Sequence, residues 1–165
     1  MSVKKQYLIC TVRGFTLVEL VIIIMIVGII SVIAIPKWQN NSMGLEYEAR
    51  RILNDIRFTQ AMSMTSGQRY RWVMVSSSTY SVLNEAGTAM LLPSGSTVAT
   101  LSRTTIGALT NLPNSLIAFD SQGTPYTTST FPGTALASTA SINLSASGST
   151  RVIQISAGTG YGVLQ

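Results

Sequence analysis

From Phe15 to Ile35 the chain runs for 21 residues in which only Thr16, Glu19, Gly28 and Ser31 interrupt apolar side chains. Water is a poor solvent for such a stretch on every face, so this run limits the possible structures more than any other feature. As a helix rising about 1.5 Å per residue it reaches ~31 Å, the thickness of a bilayer core. Lys4, Lys5 and Arg13 precede it, which allows a cleaved secretory signal, a plain signal anchor, or a leader cut ahead of a retained helix. A secretory signal carries about 7–15 apolar residues and then a small-x-small cleavage site. No Ala-x-Ala occurs before Pro36, so the segment is expected to stay in the membrane.

Charge sets its orientation. Lys37 is the single close positive charge on the far side, so the positive-inside rule puts the N-terminus in the cytoplasm and the rest outside. A plain anchor leaves Glu19 unexplained. A carboxylate inside a membrane helix costs about 2.5–3.5 kcal/mol or more, and the run contains no Lys or Arg to pair with it. Cleavage after Gly14 would create an amino group on Phe15, and in a stack of helices one subunit's Glu19 would neutralise its neighbour's amine.

The segment Gly14-Phe15-Thr16-Leu17-Val18-Glu19-Leu20 resembles the processing motif of type IV prepilins. The resemblance implies that an inner-membrane prepilin peptidase/N-methyltransferase cuts after Gly14 and methylates Phe15. It also implies that Glu19 is the assembly residue, and that Pro36 kinks the helix as in many of these proteins. The expected organisation is a leader over 1–14, a transmembrane and assembly helix over 15–36, and a periplasmic domain over 37–165.

Removing the leader changes the charge argument. The whole chain carries +5, but without Lys4, Lys5 and Arg13 eight basic and six acidic side chains remain, a balance of +2. The basic excess is therefore mainly topological. The sole cysteine, Cys10, lies in the leader, and the chain has no His. A mature disulfide, a Cys/His zinc site and His-based acid–base catalysis are excluded.

Beyond Pro36, which disfavours helix at the preceding residue, Gln39–Gly44 is polar and a weak helix former. Leu45, Ala49, Ile52, Leu53 and Ile56 then repeat at helical spacing. This predicts a helix from Leu45 to about Ser66, stopped by Gly67, with one apolar face on a sheet. Glu46–Arg50 and Glu48–Arg51 are spaced to pair along it. Short alternating runs follow: Arg69–Val75, Tyr80–Leu83, Thr97–Leu101, Leu116–Phe119, Ser141–Leu144, Val152–Ile155 and Tyr161–Leu164. They are separated by Gly, Ser, Pro and Asn clusters, as in antiparallel hairpins. Thr124–Ser141 reads as a long surface loop. The fold class is α+β, a long N-terminal helix packed on an antiparallel β-sheet domain.

Ile117-Ala118-Phe119-Asp120-Ser121-Gln122-Gly123, then a Thr/Ser-rich stretch, then paired strands ending at Ile153-Gln154-Ile155-Ser156-Ala157-Gly158, is similar to the GspH/FimT family. That resemblance implies a minor pseudopilin of a type II secretion system, acting in filament-tip assembly and protein export. The alternative it leaves is a minor pilin of type IV pili, in adhesion, twitching or DNA uptake. Partners would be the prepilin peptidase, other pilins or pseudopilins, and inner-membrane lipid.

No catalytic set, metal site or cofactor is expected. Glu46, Glu48 and Asp55 fit a solvated helix face, and Asp120 fits the cap of a turn before Gly123. Arg50, Arg51, Arg57, Arg69 and Arg71 fall within 22 residues beside Phe58, Tyr70 and Trp72, a composition suited to phosphate and base contact. Against that, Arg151 is the single basic residue after Asp120. The favoured reading pairs Arg50 and Arg51 with helix acids and puts Tyr70, Trp72, Met74 and Phe119 in the core. Nucleic acid is not an expected partner. Trp38 is expected at the lipid–water boundary.

Overall fold

An 18-residue helix, α1 (Leu17–Ala34), occupies most of the apolar run. The computed structural model describes residues 14–34, 41–130 and 132–165. Lys4, Lys5, Cys10, Arg13, Pro36, Lys37 and Trp38, and with them the expected helix kink, lie outside the described residues. Chain contacts divide the protein into Met1–Gln39 and Asn40–Gln165. In α1 the many Val and Ile residues are middling helix formers in water. Between its two ends the helix pairs its backbone groups internally, which is what an apolar surrounding would demand. Among the described residues no helix is long and apolar enough to cross a membrane. The 18 residues of α1 reach about 27 Å, against a hydrocarbon core of about 30 Å.

The second unit is built on α2 (Asn41–Ser66). It starts four residues before the expected Leu45. Gly44, a weak helix former, is drawn into the helix where the Arg103 side chain packs, 3.2 Å from the position a Cβ would take. At the other end Gly67 adopts φ +71° and its amide donates to the Ser63 carbonyl at 3.0 Å, the left-handed stop that glycine accepts without penalty.

Among the described residues nine strands follow, all paired antiparallel. They are β1 (Tyr70–Ser76), β2 (Thr79–Leu83), β3 (Val98–Thr100), β4 (Thr105–Thr110), β5 (Leu116–Phe119), β6 (Pro125–Tyr126), β7 (Ala140–Ala146), β8 (Ser149–Ile155) and β9 (Gly162–Leu164). They form two sheets, ordered β3-β2-β1-β5-β6 and β4-β7-β8-β9. The expected single sheet is thus corrected to two, and both pack on α2. The β7–β8 connection is tighter than the five-residue stretch Ser145–Ser149 implied. Ser147 and Gly148 alone form the turn at φ 46° and 83°, the primed geometry that matches strand twist.

Two further expectations are revised. Thr105–Thr110 is a strand, anchored by buried Ile106 although glycine and alanine interrupt its pattern. The stretch from Thr124 is not a plain loop. β6 pairs with β5, Leu136 is buried, and the Leu136 amide donates to the Pro125 carbonyl. The predicted apolar stripe Leu45, Ala49, Ile52, Leu53 and Ile56 is buried throughout, as are Tyr70, Trp72 and Phe119, with Met74 partly buried against them.

The two-sheet arrangement widens the buried arc of α2. Leu53 faces Gly162 of β9 on one side, while Asp55 meets Tyr80 of β2 on the other. Glu48 and Asp55, expected on a solvated face, are instead buried at 6% and 4% exposure. Their environments differ. Burial pushes the Glu48 carboxyl up, but hydrogen bonds to the charged form outweigh it, so the net direction is down. Ser102 donates its amide and hydroxyl to Oε1 at 2.9 and 3.0 Å. The buried Thr104 hydroxyl beside it also favours the charge, although neither it nor Oε2 completes a hydrogen bond of good geometry. Asp55 is raised by burial, only partly offset by the Tyr80 hydroxyl, which donates at 2.6 Å, and by Arg51.

The two acids should therefore shape stability with opposite signs. A lowered carboxyl stabilises above its unfolded value, and that gain is lost as pH falls through the folded value. A raised one stabilises in acid and loses that gain as pH rises through the folded value. Glu48→Gln is expected to cost about 1.5–3 kcal/mol at pH 7 and little at pH 3. Asp55→Asn keeps an acceptor for Tyr80, so its stability relative to the parent should rise from pH 3 to pH 7. Urea unfolding at both pH values measures each difference, and the same trend in both variants would refute the assignment.

Candidate functional site

The first candidate lies at the start of α1. Gly14, Phe15 and Thr16 precede the helix, and Leu17 opens it. Thr16 is its N-cap: the hydroxyl accepts the Glu19 amide at 3.2 Å, and its carbonyl accepts the Leu20 amide. Thr-x-x-Glu is the spacing of a capping box, which satisfies amides that the first turn leaves orphaned. Glu19 therefore stands in the first turn, where the positive end of the helix dipole favours a carboxylate.

This geometry places the Gly14–Phe15 bond outside the helix. A methyl added at Gly14 would meet nothing within 4 Å, and the backbone there needs no left-handed conformation. The packing of the described residues thus gives no reason for glycine at that position. Beyond the cap, Phe15, Leu17, Ile22, Met25 and Ile29 are all exposed, as are the other apolar side chains between Phe15 and Ile30. Such a surface requires lipid or other apolar helices to cover it.

The five candidate nucleic-acid arginines do not converge. Arg50 pairs with Glu46, as its spacing predicted, at 2.6 Å. Arg51 does not pair with Glu48; it donates to the Thr100 carbonyl and the Ser94 hydroxyl. Glu48 turns instead to Ser102, because β2 and β3 cover that side of α2. Arg57 donates to the Gly162 carbonyl at 2.9 Å and lies over the Tyr161 ring. Arg69 is buried, stacks 4.1 Å above the Tyr126 ring, and donates to the Thr130 and Pro132 carbonyls. Arg71 lies on β1, half-buried. Sequence reasoning missed the partner of Arg151, which donates to Glu46 Oε2 at 2.8 Å across 105 positions. Through that bond Arg151, with Arg50 beside it, holds the Glu46 carboxyl below its ordinary range.

Asp120 caps a turn, as its spacing to Gly123 predicted. Its Oδ1 accepts the Gln122 and Thr124 amides at 2.9 and 2.8 Å, and Gly123 adopts φ +80°. From α2, Gln60 donates to the Gly123 and Thr159 carbonyls, tying this turn to the segment before β9. Among the described residues no group of three or more His, Cys, Asp or Glu side chains could hold a metal ion.

No protein-family profile matches the chain, and no curated protein sequence matches it. Two crystal structures resemble it, both of the type IV minor pilin FimU of Pseudomonas aeruginosa strain PAO1. One, in space group P65, is 14% identical with a TM-score of 0.52, covering 73% of this chain and 92% of that one. The other, in P21, is 15% identical with a TM-score of 0.50, covering 73% and 87%. At this identity the likeness concerns the fold: the chain has a type IV pilin-like architecture, a helix packed on antiparallel sheets.

The turn reading of Asp120 predicts a specific pattern. Asp120→Asn keeps the acceptor and should be close to neutral, whereas Asp120→Ala should cost about 1 kcal/mol in urea unfolding. Equal losses in both variants would point to a role for the charge itself.

Proposed function

We propose that the chain is a structural minor subunit of a pilus-like filament, made as an inner-membrane precursor and cleaved after Gly14. The observation that carries this reading is the junction at Gly14: a peptide bond outside the helix and uncrowded by the described residues, then a capped apolar helix with one carboxylate, on a chain whose folded unit is type IV pilin-like. In this proposal the prepilin peptidase reads Gly14 and the new Phe15 amine is methylated. The apolar run, extended through Ile35 and kinked at Pro36, crosses the membrane with the folded domain in the periplasm. In the filament the exposed apolar side chains of α1 are covered by neighbouring helices, and Glu19 meets another subunit's terminal amine. The role is structural and not enzymatic.

The GspH/FimT resemblance favours the tip of a type II secretion pseudopilus. A second reading, a minor pilin of a type IV pilus, is favoured by the likeness to FimU, which is itself described as a type IV minor pilin. Deleting the gene and measuring exoprotein release, twitching and transformation side by side separates them. Loss of secretion alone supports the first reading; loss of twitching or transformation alone supports the second.

For the junction, Gly14→Ala should block processing, seen as retention of the precursor mass. Because that methyl group meets nothing among the described residues, a block would report recognition by the peptidase. Glu19→Ala should be cut normally yet assemble at least about tenfold less, each ~1.4 kcal/mol of lost pairing being a factor of ten. Normal processing of Gly14→Ala would end the precursor reading.

A further inference from the structure

A groove of about 520 Å³ runs between α2 and β9. Glu46, Arg50, Leu53 and Arg57 line it from the helix, Arg151 from β8 and Leu164 from β9. Among the described residues β9 is an edge strand, with β8 on one side and no strand on the other. The hydrogen-bond phase shows which groups face that side. Val152 and Gln165 exchange both backbone bonds, at 2.9 and 2.8 Å. The next pair, Ile153 with Leu164, is then a non-hydrogen-bonded pair, and the Leu164 N–H and C=O face away from β8. Two residues on, Gly162 has the same phase, and its carbonyl accepts Arg57 Nη2 at 2.9 Å. The outer edge of β9 therefore faces the arginine-bearing side of α2.

The charged side chains lining the groove are three arginines and one glutamate, an excess of two positive charges. Glu46 already sits between Arg50 and Arg151, one oxygen on each at 2.6 and 2.8 Å, so carboxylate geometry suits this wall. Each guanidinium has five N–H donors, and none of the three is saturated by its bonds within the chain. A strand edge beside cationic side chains resists pairing with a second copy bearing the same charges. It accepts an extended acidic chain, which gains backbone bonds and charge-assisted ones together.

We propose that this groove receives an extended, carboxylate-bearing segment of another polypeptide, which pairs with the free Leu164 backbone edge and presents its acids to Arg50, Arg57 and Arg151. This goes beyond the filament reading and does not depend on it.

The test uses the full chain in detergent micelles and a fluorescein-labelled peptide of alternating Thr and Glu, followed by anisotropy. The same peptide with Gln for Glu, and a thymidine oligonucleotide, serve as competitors. The Glu peptide should bind, weaken as salt rises, and be displaced by neither competitor. Arg50→Gln changes an exposed side chain, leaves the core untouched, and should weaken binding about three- to tenfold. Leu164→Pro removes the outward amide without touching the β8 ladder and should weaken binding at constant charge. Should that variant fail to fold, Arg50→Gln alone decides. Absence of binding, equal binding of the Gln peptide, or unchanged affinity in Arg50→Gln overturns the proposal. Displacement by the oligonucleotide overturns it in favour of a phosphate ligand, and competition by self-association overturns it in favour of a second copy.

Discussion

The folded unit depends on α2 being covered by two sheets at once. One sheet seats Tyr80 and Trp72 on one side of the helix, and the other brings Gly162 against Leu53 on the opposite side. A helix lying on one sheet buries a stripe; one held by two sheets buries a wide arc. That arc includes Glu48, Asp55, Thr59 and Ser63, and each polar group in it then needs a partner. The Ser102 bonds to Glu48, the Tyr80 bond to Asp55 and the Ser63 bond to the Tyr70 amide follow from this constraint. Gln60 extends it to the loops, joining the Asp120 turn to the approach to β9.

The N-terminal helix is subject to the reverse condition. The second unit satisfies its own core, while α1 satisfies only its backbone and leaves its apolar side chains exposed. Its polar features are concentrated at one end: the Thr16 cap, the Glu19 carboxylate and an uncrowded Gly14. An apolar cylinder with a carboxylate near its tip is incomplete by itself, and both lipid and other helices of its kind would complete it. This is why the proposed function rests on that junction and not on any pocket of the folded unit.

For the arginines, location decides more than number. The 22-residue cluster looks like a phosphate-binding stripe in the sequence. In the fold, Arg69 is spent on the Thr130 and Pro132 carbonyls and Arg51 on the β3 end, whereas Arg50 and Arg57 turn to the groove with Arg151. A distant residue therefore joins two cluster members, and the cluster itself disperses. Burying a guanidinium over the Tyr126 ring gives it a structural task that composition cannot reveal.

Local physics made much of this legible in advance. Helical spacing from Leu45 to Ile56, the Gly67 stop, the Asp120–Gly123 turn, the Glu46–Arg50 pair and most strands depend on neighbours within a few positions, and the chain itself supplies those. The apolar run and its single carboxylate likewise needed only the sequence to be noticed. The division into two sheets, the strand at Thr105–Thr110, the burial of Glu48 and Asp55 and the bond from Arg151 to Glu46 were not legible. Each joins residues tens of positions apart or depends on what covers a helix face, and no short-range pattern encodes that. The sequence determined most of the helices, strands and turns, and which helix carries apolar side chains on every face. Tertiary structure alone decided which charges are buried, which arginines share a groove and which strand edge is left open, because burial and pairing are set by the whole packed chain.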